Sequence, residues 1–187
     1  MTSTKRDNLV AAAERLFYEQ GFHATGIDSI VSEAGVVRMT LYNHFPSKDA
    51  LVAEVLRQRH ERFMPAIDSA VRNAAPGTAT MALVDAHNAW LKTHGHHGCI
   101  LVKAMGEFAA HNAEVYAVAR EAKNDLRAHI HSALVKDGVD DVARLEGHIY
   151  LLLEGCNAAV PVLGAEVALR HTRAAVESIL PNVVEVT

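Results

Sequence analysis

The sequence predicts an all-α chain, and three observations predict it. Apolar side chains recur at helical spacing in nearly every segment. Glycine or proline stands between most of those stripes, at Gly21, Gly35, Pro46 and the Ala74-Ala75-Pro76-Gly77 run. Half of the 187 residues are hydrophobic, enough to bury a core in one small domain and one larger one.

Taken in order, Leu9, Ala13, Leu16 and Phe17 form one helical stripe that Gly21 ends. A second stripe, Ile27, Ile30, Val31 and Ala34, follows Thr25, with Asp28 placed to complete an imperfect capping box. Gly35 is suited to the left-handed conformation that closes a helix, which sets Val36 to pack back between its neighbours. The third helix has Leu41 and Phe45 as core anchors and is otherwise too polar to be buried. Ser47 caps a fourth helix through Leu51, Val52, Val55, Leu56 and Phe63, which Pro65 is expected to kink or end. Further helices are expected near 78–94, 98–110, 112–136, 140–163 and 165–180, for a total of about nine.

Residues 35–51, GVVRMTLYNHFPSKDAL, place a glycine turn, a short polar helix ending in Tyr-Asn-His-Phe, a proline stop and a Ser-Lys helix start in immediate succession. This is the pattern of a DNA-reading helix-turn-helix, and it resembles the TetR family of bacterial transcriptional regulators over roughly the first third of the chain. The resemblance implies a DNA-binding domain over 4–64, with the helix-turn-helix at about 27–46 and the start of helix four. It implies a ligand-binding and dimerising helical bundle over 65–187. It also places Thr25, Thr40, Tyr42, His44 and Lys48 where phosphate contacts are usual, with Arg38, Met39 and Asn43 as candidates for base contacts. Two positions depart from the family pattern: Val37 stands where a small hydroxyl residue commonly caps the recognition helix, and Met39 where a small residue follows.

Charge sharpens this picture locally. Residues 1–62 carry eight basic and eight acidic side chains, yet none between Glu33 and Asp49 is acidic, and Arg38, His44 and Lys48 fall in that window. The net charge of -4 therefore belongs to the remainder, which is not expected to touch DNA.

In the eighth helix Ile149, Leu152, Cys156 and Val160 form one apolar stripe, and Leu151, Gly155, Ala158 and Val162 form another. A helix apolar on two faces suits a homodimer, with Val176, Ile179 and Leu180 of the ninth helix expected to join the interface. For a small-molecule effector the candidate contacts are His87, Trp90 and His94 on one helical face, then Cys99, Glu107, Tyr116 and the set Tyr150, Glu154 and Asn157. The Gly-Cys pair at Cys99, followed by Glu107, loosely resembles a TetR subgroup, which implies a reactive-cysteine alternative. Clustering of His94, His96, His97 and Cys99 raises a metal-responsive alternative, although the spacing matches no established zinc pattern.

The sequence carries no GxSxG, Walker, HExxH or GxGxxG motif, so an enzyme is not expected, and no cofactor is implied. A helical module without a DNA role is the other competing class. The first apolar run is broken at once by Glu14 and Arg15, charge-free stretches are short, and the two cysteines lie far apart. A cytoplasmic protein without a membrane span is therefore expected, whose partners are a double-stranded operator, a small effector and a second copy of itself.

Overall fold

The computed structural model describes residues 4–181 and contains, among them, nine α-helices and no strand. These are α1 Lys5–Gln20, α2 Ile27–Glu33, α3 Arg38–His44, α4 Lys48–Asn73, α5 Ala79–His94, α6 Ile100–Phe108, α7 Ala113–Lys136, α8 Val142–Leu163 and α9 Ala165–Ile179. The all-α expectation therefore holds, as do the helix positions to within a few residues. The chain divides into two compact units. One is the chain up to Glu61 with Ile100–Lys123; the other is Arg62–Cys99 with the chain from Asn124 onward.

Within the first unit, α1 opens on a full capping box, in which the Thr4 hydroxyl accepts from the Asp7 amide and the Asp7 carboxylate accepts from the Thr4 amide. Leu9, Leu16 and Phe17 of α1 enter a core with Phe22, Ile30, Leu41, Leu51, Leu56, Phe108 and Val115. Phe22 lies 5.2 Å from Phe17 and edge-on to Phe108 at 5.6 Å, so this aromatic row ties α6 into the same core. Gly21 has φ 92 and ψ 160, a backbone region essentially open only to glycine.

Of the two outcomes expected at Pro65, a kink or an end, the end is not realised, because α4 continues past it. The ring deprives the Glu61 carbonyl of its amide partner, but Ile67 and Val71 are buried on the far side and carry the helix on to Asn73. Pro161 does the same to the Asn157 carbonyl inside α8. Gly98 lies beside that carbonyl, and its φ of +79 is a conformation that favours glycine.

In the second unit the core joins Ile67, Leu83, Ile130, Leu134, Ile149, Leu153 and Val176. The end of α7 fastens two other helices at once. Lys136 Nζ donates to the last-turn carbonyls Val71 and Arg72 of α4, at 2.7 and 2.8 Å. The Asp137 carboxylate accepts from the amides of Ala79 and Thr80 at the start of α5, at 2.7 and 2.8 Å. Cation and anion thus each meet the helix end of opposite sign. Asp137→Ala is expected to destabilise the protein by about 1–2 kcal/mol, read from urea unfolding, because two amides lose their cap together.

On α9 the expectation needs correction at Val176, which is fully buried within its own chain, while Ile179 and Leu180 are partly buried against the same core. On α8 the stripe of Ile149, Cys156 and Val160 is buried, while Leu151, Gly155, Ala158 and Val162 are exposed.

Candidate nucleic-acid interface

The turn into α3 is built from backbone. The Gly35 amide donates to the Ser32 carbonyl and the Val36 amide to the Val31 carbonyl, while Gly35 adopts φ +64. This pair of bonds is a Schellman motif, with Ala34 as the last cap residue and half-buried Val36 returning to the core. α3 then begins at Arg38 after Val37, which supplies no side-chain cap. Leu41 is the buried residue within the helix, and Phe45, just past its end, is the second anchor.

The opposite side of α3 faces solvent. Val37 is 67% exposed, Met39 69% and Tyr42 45%, and Arg38, Asn43 and His44 are exposed beside them, with Thr40 half-buried. Isolated apolar residues on a surface need no explanation, but a short helix that exposes apolar and hydrogen-bonding side chains together presents the chemistry a base edge requires. Arg38 is not extended into solvent: its Nε and Nη2 both donate to Asp28 Oδ1 on α2, at 3.2 and 2.6 Å.

The far end of α3 is held by α1 and α4. The Arg6 guanidinium carbon sits 5.2 Å over the Phe45 ring, and Arg6 Nη2 donates to Glu54 Oε1 at 2.7 Å. Burial works to raise the Glu54 pKa, but hydrogen bonds from Arg6 and Gln58 outweigh it and hold the carboxyl below its usual value of about 4.5. A depressed folded pKa contributes stability above the unfolded value, and that stability disappears as pH falls through the folded value. Glu54→Gln is therefore expected to flatten the acid limb of a stability profile below about pH 4.5, measured by thermal unfolding across pH.

Lys48 begins α4, where the Ser47 hydroxyl accepts from the Ala50 amide as expected. Its ammonium lies 6.0 Å from the Phe17 ring, and partial burial lowers its pKa against the opposing pull of Asp49 and Glu107. Thr25 departs from expectation. It is fully buried, and its hydroxyl donates to the Gly21 carbonyl at 2.7 Å, with the Leu16 carbonyl at 3.3 Å. The side chain closes the α1–α2 turn and has no path to a phosphate; Gly26, not Thr25, occupies the cap position of α2.

Glu107, expected among effector contacts, is committed to the same turn. Its carboxylate accepts from the amides of Phe22 at 3.2 Å and His23 at 2.9 Å, which ties α6 to the helix-turn-helix region. The other candidates disperse. Tyr116 lies in the first unit, with the Arg120 guanidinium 6.0 Å from its ring. His87 is buried, with Phe63 6.1 Å from its ring; Trp90 contacts Phe63 at 5.3 Å and stacks on exposed His94 at 3.9 Å. Asn157 is buried and donates to the Leu153 carbonyl of its own helix, Tyr150 and Glu154 are half-buried, and the Arg127 guanidinium lies 5.8 Å from the Tyr150 ring.

The metal alternative loses its geometry: among the described residues no three His, Cys, Asp or Glu side chains converge on a cation site. His94 is engaged by Trp90 and His96 and His97 are exposed, so proximity in sequence does not become convergence in space. Cys99 is half-buried just before α6. Buried Cys156 has its thiol pKa raised by desolvation, with Thr172 opposing.

Residues 9–55 match the profile of bacterial regulatory proteins of the tetR family. The helix-turn-helix segment is thus similar in sequence to the TetR family. The chain is 37% identical over 68 residues to the HTH-type transcriptional activator FasR of Mycolicibacterium smegmatis, a match covering 36% of this chain and 31% of the relative. It is 40% identical over 55 residues to the repressor KstR2 of the same organism, covering 29% and 27%. The matched stretch thus spans under a third of either relative. The TetR-type fold extends much further than the sequence likeness. A crystal structure of SCO4454, a TetR-family transcriptional regulator from Streptomyces coelicolor, superposes with a TM-score of 0.87 at 26% identity over 93% of each chain. Among the described residues no helix is long and apolar enough to cross a membrane.

Proposed function

We propose that this protein is a homodimeric, sequence-specific transcriptional regulator, most simply a repressor, that leaves its operator when a small organic effector binds the second unit. The observation that carries the reading is α3, which is anchored by Leu41 and Phe45 while Arg38, Met39, Tyr42 and Asn43 are exposed. Tyr42, His44, Thr40 and Lys48 take the phosphate roles and Arg38, Met39 and Asn43 the base contacts. The working division is 4–64 for DNA and 65–187 for effector and dimer. Support for the dimer comes from the exposed Leu151, Gly155, Ala158 and Val162 face of α8, whose small residues permit close approach of a second copy. Two recognition helices then read half-sites one helical turn apart.

Effector contacts are assigned to His87, Trp90, Tyr150, Glu154 and Asn157, where aromatic area and buried polar groups occur in one unit. The ligand acts by population shift, and a tenfold loss of operator affinity needs only about 1.4 kcal/mol of differential binding. The missing hydrogen bond at Pro65 makes α4 the transmitting element. Pro65→Ala is expected to blunt effector-induced release while leaving DNA affinity unchanged; equal release from both proteins, measured by anisotropy, removes the hinge role.

The deciding experiment is a fluorescence-anisotropy titration on the DNA upstream of the protein's own gene, against shuffled DNA at matched physiological salt. Binding about a hundredfold tighter to the native fragment supports the regulator. Equal weak binding to both favours a helical module without an operator there.

A further inference from the structure

Arg38 and Asp28 form a contact that folding does not explain. Both side chains are exposed, at 58% and 80%, and an ion pair so wetted contributes little to stability. A carboxylate beside a surface that meets phosphates also weakens nonspecific attraction. Its geometry, however, is selective. A guanidinium carries five N–H donors in a rigid fork, and Asp28 Oδ1 occupies one edge of it, the Nε and Nη2 side. The end of the fork, with Nη1 and the second Nη2 hydrogen, is left as a pair of parallel donors.

We propose that Asp28 is a positioning residue that holds Arg38 for end-on recognition of a guanine in each half-site of the operator. Guanine presents two adjacent acceptors, N7 and O6, on its major-groove edge, and a fixed pair of donors matches both. Adenine offers a donor amine beside its N7, thymine a single acceptor and cytosine an amine, so each leaves one N–H of the fork unpaired or opposed. Because Asp28 belongs to α2 and Arg38 to the first turn of α3, the Schellman turn between them sets the aim of the fork. The reading-out of a base is thus distributed over both helices of the motif. This inference rests on the DNA-binding reading above.

The test is selection from a fully randomised duplex library, with bound sequences counted for the wild-type protein, Arg38→Ala, Arg38→Lys, Asp28→Ala and the Asp28→Ala, Arg38→Ala double variant. Wild type is expected to enrich paired half-sites with a guanine at one defined position, and Arg38→Ala to lose a roughly tenfold preference there. Arg38→Lys loses the same preference although it keeps the positive charge, since an ammonium has no fork. Asp28→Ala lowers the preference at that position and no other, while binding to random DNA holds or rises. In the Arg38→Ala background the same change adds nothing at that position, the signature of two residues acting as one unit. Unchanged preferences in Asp28→Ala, with tighter binding to every sequence, would show that Asp28 only restrains Arg38 and would overturn the proposal. A position lost in Arg38→Ala that is not guanine overturns it as well. If wild type enriches nothing, the DNA-binding reading itself falls, and this inference with it.

Discussion

Gly155→Arg is expected to give a folded monomer that has lost at least about a hundredfold in affinity for an operator of two half-sites. Gly155 lies within α8 on its exposed face, and a Cβ there meets nothing within 4 Å. Within the single chain the change is therefore favourable, because replacing glycine in a helix interior gains about 0.5–1 kcal/mol. In the proposed dimer it is prohibitive, since a long cation enters the place where small residues permit close approach of the second copy. The two readouts move in opposite directions: sedimentation reports the monomer, and thermal unfolding at low protein concentration shows equal or greater chain stability. A dimer of undiminished affinity would move the interface off this face of α8.

Leu41→Ala is expected to destabilise the first unit by about 3 kcal/mol and to abolish operator binding, even though Leu41 touches no DNA in the proposed arrangement. α3 has seven residues and no side-chain cap at Val37, and a helix that short does not persist in water by itself. Burial of Leu41 and Phe45 is what holds it. Truncating Leu41 removes one of those two anchors and opens a cavity in the core that it shares with Ile30 and Phe17. Met39→Ala, on the outer face, is the matched control and should change stability by less than about 0.5 kcal/mol. Urea unfolding and anisotropy on the same samples separate a melted reading helix from a lost base contact.

Periodicity made the helices legible because their stripes are local. Leu9, Ala13, Leu16 and Phe17 bury one face as their spacing requires, and Gly35 turns the chain as its missing Cβ allows. Side-chain destinations were less legible. Thr25 looks like a helix cap, yet its hydroxyl turns back to Gly21, a choice made by the packing of α1 rather than by the residues that follow. Glu107 and the turn it closes lie 84 to 85 residues apart, and Lys136 and Asp137 reach helix ends 57 to 65 residues away. No spacing rule pairs residues over such separations. Val176, Ile179 and Leu180 were apolar at the right period, but periodicity says that a face is buried and not against what. Asp28 and Arg38 are ten residues apart across a turn whose geometry sets their meeting.

The backbone construction of that turn has a consequence for how such a protein changes over generations. The angle at which α3 leaves α2 depends on Gly35 and two main-chain hydrogen bonds, and the seating of α3 depends on Leu41 and Phe45. Val37, Met39, Tyr42 and Asn43 contribute to neither. Substitutions at Val37, Met39 and Asn43 cost little in folding, so in the proposed reading the operator sequence can drift while the architecture stands still. Duplicated copies of the gene can acquire new targets through a few outward-facing codons, without first passing through an unstable intermediate.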